Sequence, residues 1–177
     1  PHPPLPSDPV PRPAPTGLRP QATLPGAGHN AVKDMFLTLP YGAPRGGSVV
    51  VVADDPGAHY SSNEQDSRFA AQWAMIPCLE PESHQEAKEM TRFAFELSER
   101  LELPVVIRTA TRLSHSSGVV ELGEIKASKL QPGFNKHWKL AYRWNVYGPP
   151  GPTATHEWRL GRLPVGEQES GGRGCGG

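Results

Sequence analysis

The chain has 177 residues, with 18 basic and 18 acidic side chains. This balance lacks the clustered positive surface that displaces counterions, so no nucleic-acid partner is expected. The longest apolar run, Val49 to Ala53, is far below the about 20 residues of a membrane span, and no signal-peptide pattern opens the chain.

Two distant cysteines, Cys78 and Cys175, give no disulfide framework, zinc spacing or iron–sulfur ligand run. The expectation is a reduced, cytoplasmic protein with no metal site of its own. A start at Pro1 instead of a methionine is what a processed or truncated product would show.

Residues 1–27 are a proline-rich segment with ten prolines before residue 26. Proline removes a backbone donor and restricts the residue before it, so this stretch is expected to be extended and disordered, a linker more than a partner ligand. The next segment, 28–126, reads as one folded unit. Val32, Met35, Phe36 and Leu39 make one face of a helix over 30–39, ended by Pro40 and the glycines that follow. Ser48 to Ala53 is β-branched without polar alternation, the pattern of a strand buried on both sides.

Ser62 and Gln65 have capping-box spacing, so a short helix is expected from Ser62, with Phe69 and Trp73 on its buried side. Ile76 to Leu79 is a short strand candidate. Ser83 and Glu86 repeat the capping box before a helix whose stripe is Ala87, Met90, Ala94, Leu97 and Leu101. Val105 to Thr109 is a further strand, and Val119 to Ile125 a possible last one. This alternation predicts an α/β fold with three layers, helix, parallel sheet and helix. Residues 127–161 are expected to be an irregular arm, and 162–177, ending in GGRGCGG, a flexible tail.

In an open parallel sheet, ligands bind outside the carboxyl ends of the strands. Two polar loops leave such ends, Asp54 to Ser62 and Ala110 to Ser117. Asp54 and Asp55 read as turn-formers before an acid pair. Ser62 reads as a cap whose helix offers free N–H groups to an anion. Arg112 is placed to clamp a carboxylate, or to make a surface ion pair of little energetic value. His59 and His115 are loop histidines, for which plain surface is the commoner reading. Gly42, Gly46 and Gly47 precede a strand, so they are not a phosphate-binding fingerprint. His84, His137 and His156 receive no role. From the residues alone the reading stops at an α/β domain with a polar rim.

Three segments carry a resemblance further: Gly46 to Arg68, containing Ala53-Asp-Asp-Pro-Gly-Ala-His-Tyr-Ser-Ser-Asn-Glu-Gln-Asp66; Leu79 to Lys88; and Arg108-Thr-Ala-Thr-Arg-Leu-Ser-His115. They resemble indolepyruvate ferredoxin oxidoreductase α subunits from about Asn30 to Glu124, and Asn145 to Pro150 resembles the linker that follows. The resemblance implies the later part of a thiamine-diphosphate pyrimidine-binding-type domain. It implies oxidative decarboxylation of arylpyruvates, a class of 2-oxo acid, to acyl-CoA, with electrons passed through iron–sulfur clusters to ferredoxin. The implied partners are a β subunit, the remaining α-subunit domains and ferredoxin.

The family's activating glutamate, its Gly-Asp-Gly metal motif and its cluster cysteines have no counterpart in these residues. The resemblance therefore implies no catalytic base and no metal ligand here, with magnesium, clusters and CoA held elsewhere. It implies only proximity to cofactor or substrate for His59, Glu64, Arg112 and His115, and a piece inactive alone. The alternatives are a non-catalytic binding or scaffold module derived from such an enzyme, and a thiamine enzyme of the transketolase or branched-chain dehydrogenase type, which lacks the Asn-Glu-Gln-Asp run.

Overall fold

The computed structural model describes residues 18–42, 46–125 and 151–162. Four strands form one parallel sheet in the order β1-β2-β4-β3: β1 Gln21–Pro25, β2 Val49–Asp54, β3 Cys78–Leu79 and β4 Val105–Ala110. Helices α1 (Gly26–Ala31), α2 (Lys33–Thr38) and α3 (Ser67–Ala74) cover one face, and α4 (His84–Leu101) covers the other. A short α5 (Thr111–Ser114) follows β4, and α6 spans Gly151–Leu160.

The valine run of β2 is buried on both sides, as its composition predicts. Val50 and Val52 join Val106 beneath Val32, Phe36, Leu39, Ala70, Ala71 and Ala74. Val49 joins Val105 and Ile107 beneath Met90, Ala94, Leu97 and Leu101. Successive strand side chains point to opposite faces, so one strand feeds two cores. The predicted α/β class and three-layer order are present.

The start of α4 follows its sequence signal. Ser83 Oγ accepts from Glu86 N at 3.2 Å, and Glu86 Oε2 accepts from Glu82 N at 2.8 Å. Ser98, in the last turns of α4, is fully buried; its Oγ accepts from Ser48 N at 2.8 Å and donates to the Leu103 carbonyl at 2.5 Å. One hydroxyl thereby ties α4 to the entries of β2 and β4.

Several expectations are corrected. The proline-rich segment was expected to hold neither sheet nor helix through residue 27, yet β1 starts at Gln21 and α1 at Gly26. Between residues 18 and 27 proline stands at 20 and 25 only, which leaves the donors between them, and β1 is an edge strand, where a missing N–H is tolerated. The single helix over 30–39 is two short ones joined at Val32. The helix expected from Ser62 begins five residues later, capped by Asp66, whose side chain accepts from Arg68 N at 3.0 Å. Its buried face is Ser67, Ala70, Ala71 and Ala74, so Phe69 and Trp73 stand 70% and 65% exposed, outside the core. Small residues let α3 lie close on the sheet, and the rings go to the outer side.

Val119 to Ile125 is not a strand, and Val119, Leu122 and Ile125 are exposed. This segment runs along α4, where Glu121 N donates to Gln85 Oε1 at 2.8 Å and Lys88 Nζ bonds the Glu121 carbonyl. The irregular arm expected over 127–161 ends in helix α6. Buried Arg159 on α6 bonds the Ala74 carbonyl and stacks over Tyr41 at 4.6 Å. The expectations for 1–17, 126–150 and 163–177 lie outside the described residues.

Candidate functional site

The register pairs Asp54 with Ala110, so the loops after β2 and β4 leave the same edge of adjacent parallel strands. A hydroxyl and a carboxylate join them. Thr111 Oγ1 donates to Asp55 Oδ1 at 2.6 Å, and Asp55 Oδ2 accepts from Tyr60 N at 2.6 Å and Ser61 N at 2.9 Å. The bond from Thr111, followed by those from the Tyr60 and Ser61 backbone, holds the Asp55 carboxyl well below the usual carboxylate range. The turn is tight enough to put Ala58 at φ 48° beside Gly57 at φ 81°. Across the gap, the rings of Tyr60 and His115 lie 5.6 Å apart.

A buried charge cluster underlies this rim. Asp54 Oδ2 accepts from Arg108 Nε at 2.6 Å and from Ser67 N at 2.8 Å, and its Oδ1 accepts from Ser67 Oγ at 2.5 Å. Arg108 also bonds Glu80 through Nη1 and lies 3.5 Å from Asp66. Burial opposes the Arg108 charge, but the hydrogen bond to Asp54 and the charges of Glu80, Asp54 and Asp66 outweigh it, and the guanidinium pKa is raised. The bond from Arg68 is the main cause that lowers the Asp66 pKa.

Of the four expected site residues, His115 reaches the Tyr60 side of the rim, while His59 and Glu64 stand exposed between β2 and α3 and Arg112 stands exposed on α5, the short helix within the expected second loop. No hydrogen bond or ion pair links these four to one another among the described residues. The anion-receiving helix start expected at Ser62 is instead at Ser67, and Asp54 already fills it. The turn reading of Asp55 holds, since it bonds nearby backbone, whereas Asp54 is a structural ion-pair partner. His84 does make a contact on this side, with its Nε2 3.1 Å from Ser116 Oγ.

Arg108 is a buried charge that loop position does not single out. Its signal lies in the strand, because an arginine inside an apolar strand of a parallel sheet requires a buried partner. Among the described residues, no group of three or more His, Cys, Asp or Glu side chains is placed to hold a metal ion, and no helix is long and apolar enough to cross a membrane.

No protein-family model matches the chain. It is similar to the indolepyruvate oxidoreductase subunit IorA of Archaeoglobus fulgidus, 49% identical over 109 residues, which are 62% of this chain and 18% of that subunit. The IorA subunit of Pyrococcus abyssi is 50% identical over 109 residues, 62% of this chain and 17% of the relative. That of Thermococcus kodakarensis is 48% identical over 125 residues, 71% of this chain and 19% of the relative. The chain thus spans about a fifth of the length of these relatives. The resemblance its motifs carry is therefore to one segment of indolepyruvate oxidoreductase subunit IorA.

Proposed function

We propose that the chain is part of a cytoplasmic indolepyruvate ferredoxin oxidoreductase, within the pyrimidine-binding-type domain of its thiamine-diphosphate-dependent α subunit. The observation that carries this reading is the similarity to IorA subunits, 44–50% identical over 62–71% of the chain. The reaction is oxidative decarboxylation of an arylpyruvate to an acyl-CoA, with ferredoxin as electron acceptor. The β subunit and the remaining α-subunit domains complete the enzyme and hold the magnesium, the iron–sulfur clusters and CoA.

The rim carries an exposed guanidinium, Arg112, two imidazoles, His59 and His115, and a carboxylate, Glu64. These donor and acceptor types suit the edge of an aminopyrimidine ring or the carboxylate of a 2-oxo acid. When bound, thiamine diphosphate supplies the nucleophilic carbon for the decarboxylation. This chain's part is to present the rim: Arg112 orients the substrate carboxylate, and His59, Glu64 and His115 border the cofactor.

The test uses the intact enzyme that contains this segment, loaded with cofactor. It is expected to reduce ferredoxin with indolepyruvate, whereas the purified chain alone shows neither turnover nor iron–sulfur absorbance. Arg112→Ala in the intact enzyme should raise KM for indolepyruvate about tenfold, the loss of roughly one charge-assisted contact. Ferredoxin reduction absent from the intact enzyme would overturn the reading. Unchanged kinetics in the variant would leave the two loops as scaffold.

A further inference from the structure

The chain after β4 carries Arg112 and His115, yet little apolar packing holds it. Helix α5 has four residues and none is buried, and residues 114–119 are exposed. A helix this short is not stable by itself, so its place depends on side-chain contacts at its two ends. At its start, Thr111 Oγ1 bonds Asp55 Oδ1 at 2.6 Å. Beyond its end, the contacts come from the first turns of α4.

Those turns present His84, Gln85 and Lys88 on one side, since residues three and four apart in a helix are neighbours. His84 Nε2 lies 3.1 Å from Ser116 Oγ, Gln85 Oε1 accepts from Glu121 N at 2.8 Å, and Lys88 Nζ bonds the Glu121 carbonyl. The Ser116 hydroxyl also lies 3.2 Å from the Leu113 carbonyl. Its one proton goes to that carbonyl, so the imidazole donates from Nε2. His84 thereby holds the residue next to His115 and, through Leu113, the end of α5. Gly118 is fitted to the same ring. A Cβ there would overlap His84 Nδ1 and stand 2.8 Å from Cγ. Cγ is the ring's point of attachment, so a side chain at 118 would displace the whole imidazole or the segment itself.

We infer that His84 is a positioning residue for the rim: its Nε2 fixes Ser116, Gly118 admits the backbone against its ring, and together they set where Arg112 and His115 stand opposite Tyr60. Thr111 fastens the start of α5 to the loop after β2, and His84 fastens its end to α4. The consequence for substrate rests on the proposed role of Arg112, whereas the positioning itself does not.

In the full chain, the Tyr60 and His115 rings, with centroids 5.6 Å apart, report the rim by NMR. His84→Ala and Gly118→Ala are each expected to shift both sets of ring signals and to weaken the cross-peaks between them, while the β2 and β4 amides stay native. His84→Gln, which keeps an N–H donor for Ser116, should restore them. Gly118→Ala alters an exposed segment and serves as the test should His84→Ala disturb α4. In the intact enzyme, His84→Ala should raise KM for indolepyruvate about fivefold with kcat kept, the loss of roughly one hydrogen bond. Combined with Arg112→Ala it should be no worse than Arg112→Ala alone, since both changes remove one contact. Effects that multiply, or ring signals unmoved by both His84→Ala and Gly118→Ala, would overturn the inference. Unchanged kinetics in Arg112→Ala would remove the proposed substrate role and leave the ring signals to decide the positioning.

Discussion

Arg108 Nε lies 2.6 Å from Asp54 Oδ2, and the two side chains are 6% and 0% exposed. They sit on adjacent strands and point to the same face, two register positions apart, because Arg108 pairs with Val52 and Asp54 with Ala110. The same aspartate fastens the first residue of α3, so one carboxylate connects β2, β4 and the helix that crosses over them. Removing one member of a buried pair strands the other charge and costs about 3–5 kcal/mol, far more than an exposed pair is worth. Asp54→Ala should lower unfolding stability by up to that amount in urea titration, since Glu80 and Asp66 stay beside Arg108. Asp54→Asn should lose less, since its amide oxygen still accepts from Ser67 N. A loss under about 1 kcal/mol in Asp54→Ala would put this pair in the class of surface bridges.

Gly47 enters β2 at φ 73°, and a Cβ there would stand 2.8 Å from the Phe95 carbonyl oxygen of α4. Both the left-handed backbone and the close approach select glycine. Gly47→Ala is expected to cost more than about 1 kcal/mol, because the obstacle is helix backbone and not a movable side chain. Thermal unfolding measured beside Gly123→Ala, where the nearest atom is the Lys88 ammonium at 4.0 Å, gives the contrast.

His29 supplies a pH dependence. Burial, and then the nearby Lys33 charge, lower its pKa from 6.5 in spite of the opposing charge of Asp54. The unfolded chain therefore takes up the proton first, so the stability of the neutral buried form is full above the ordinary histidine range and is lost as pH falls through the folded pKa. Urea midpoints should fall between about pH 7 and pH 5, and His29→Leu should remove that share of the fall. Parallel profiles for the two proteins would assign the effect to other histidines.

The bond between Thr111 and Asp55 gives a reading of loop coupling. Thr111→Val deletes the largest cause of the lowered Asp55 pKa while the Tyr60 and Ser61 backbone donors remain. The Asp55 carboxyl should titrate at higher pH in the variant, as followed by carboxyl-carbon NMR, and the Tyr60 and His115 ring signals should shift with it. An unmoved Asp55 titration would mean that the loops are held together by other contacts.

Much of this protein is legible along the chain. The valine run of β2, the Ser83 capping box and the stripe Met90, Ala94, Leu97 and Leu101 are local patterns, and each has a local physical cause that the fold keeps. The alternation of these elements determines a three-layer sheet, and the parallel order puts the loops after β2 and β4 on one edge. Tertiary structure decided what depends on partners distant in sequence. β1 exists because Val49 to Ala53 offers an edge to residues that proline spacing leaves able to pair. The start of α3 moves from Ser62 to Ser67 because Asp54, 13 residues earlier, supplies the acceptor there. Phe69 and Trp73 face outward because alanines allow α3 to lie closer to the sheet than rings would. Arg108 and His29 acquire their surroundings only when strands and helices far apart in the chain are packed together, and burial and charge at one atom are properties of that packing.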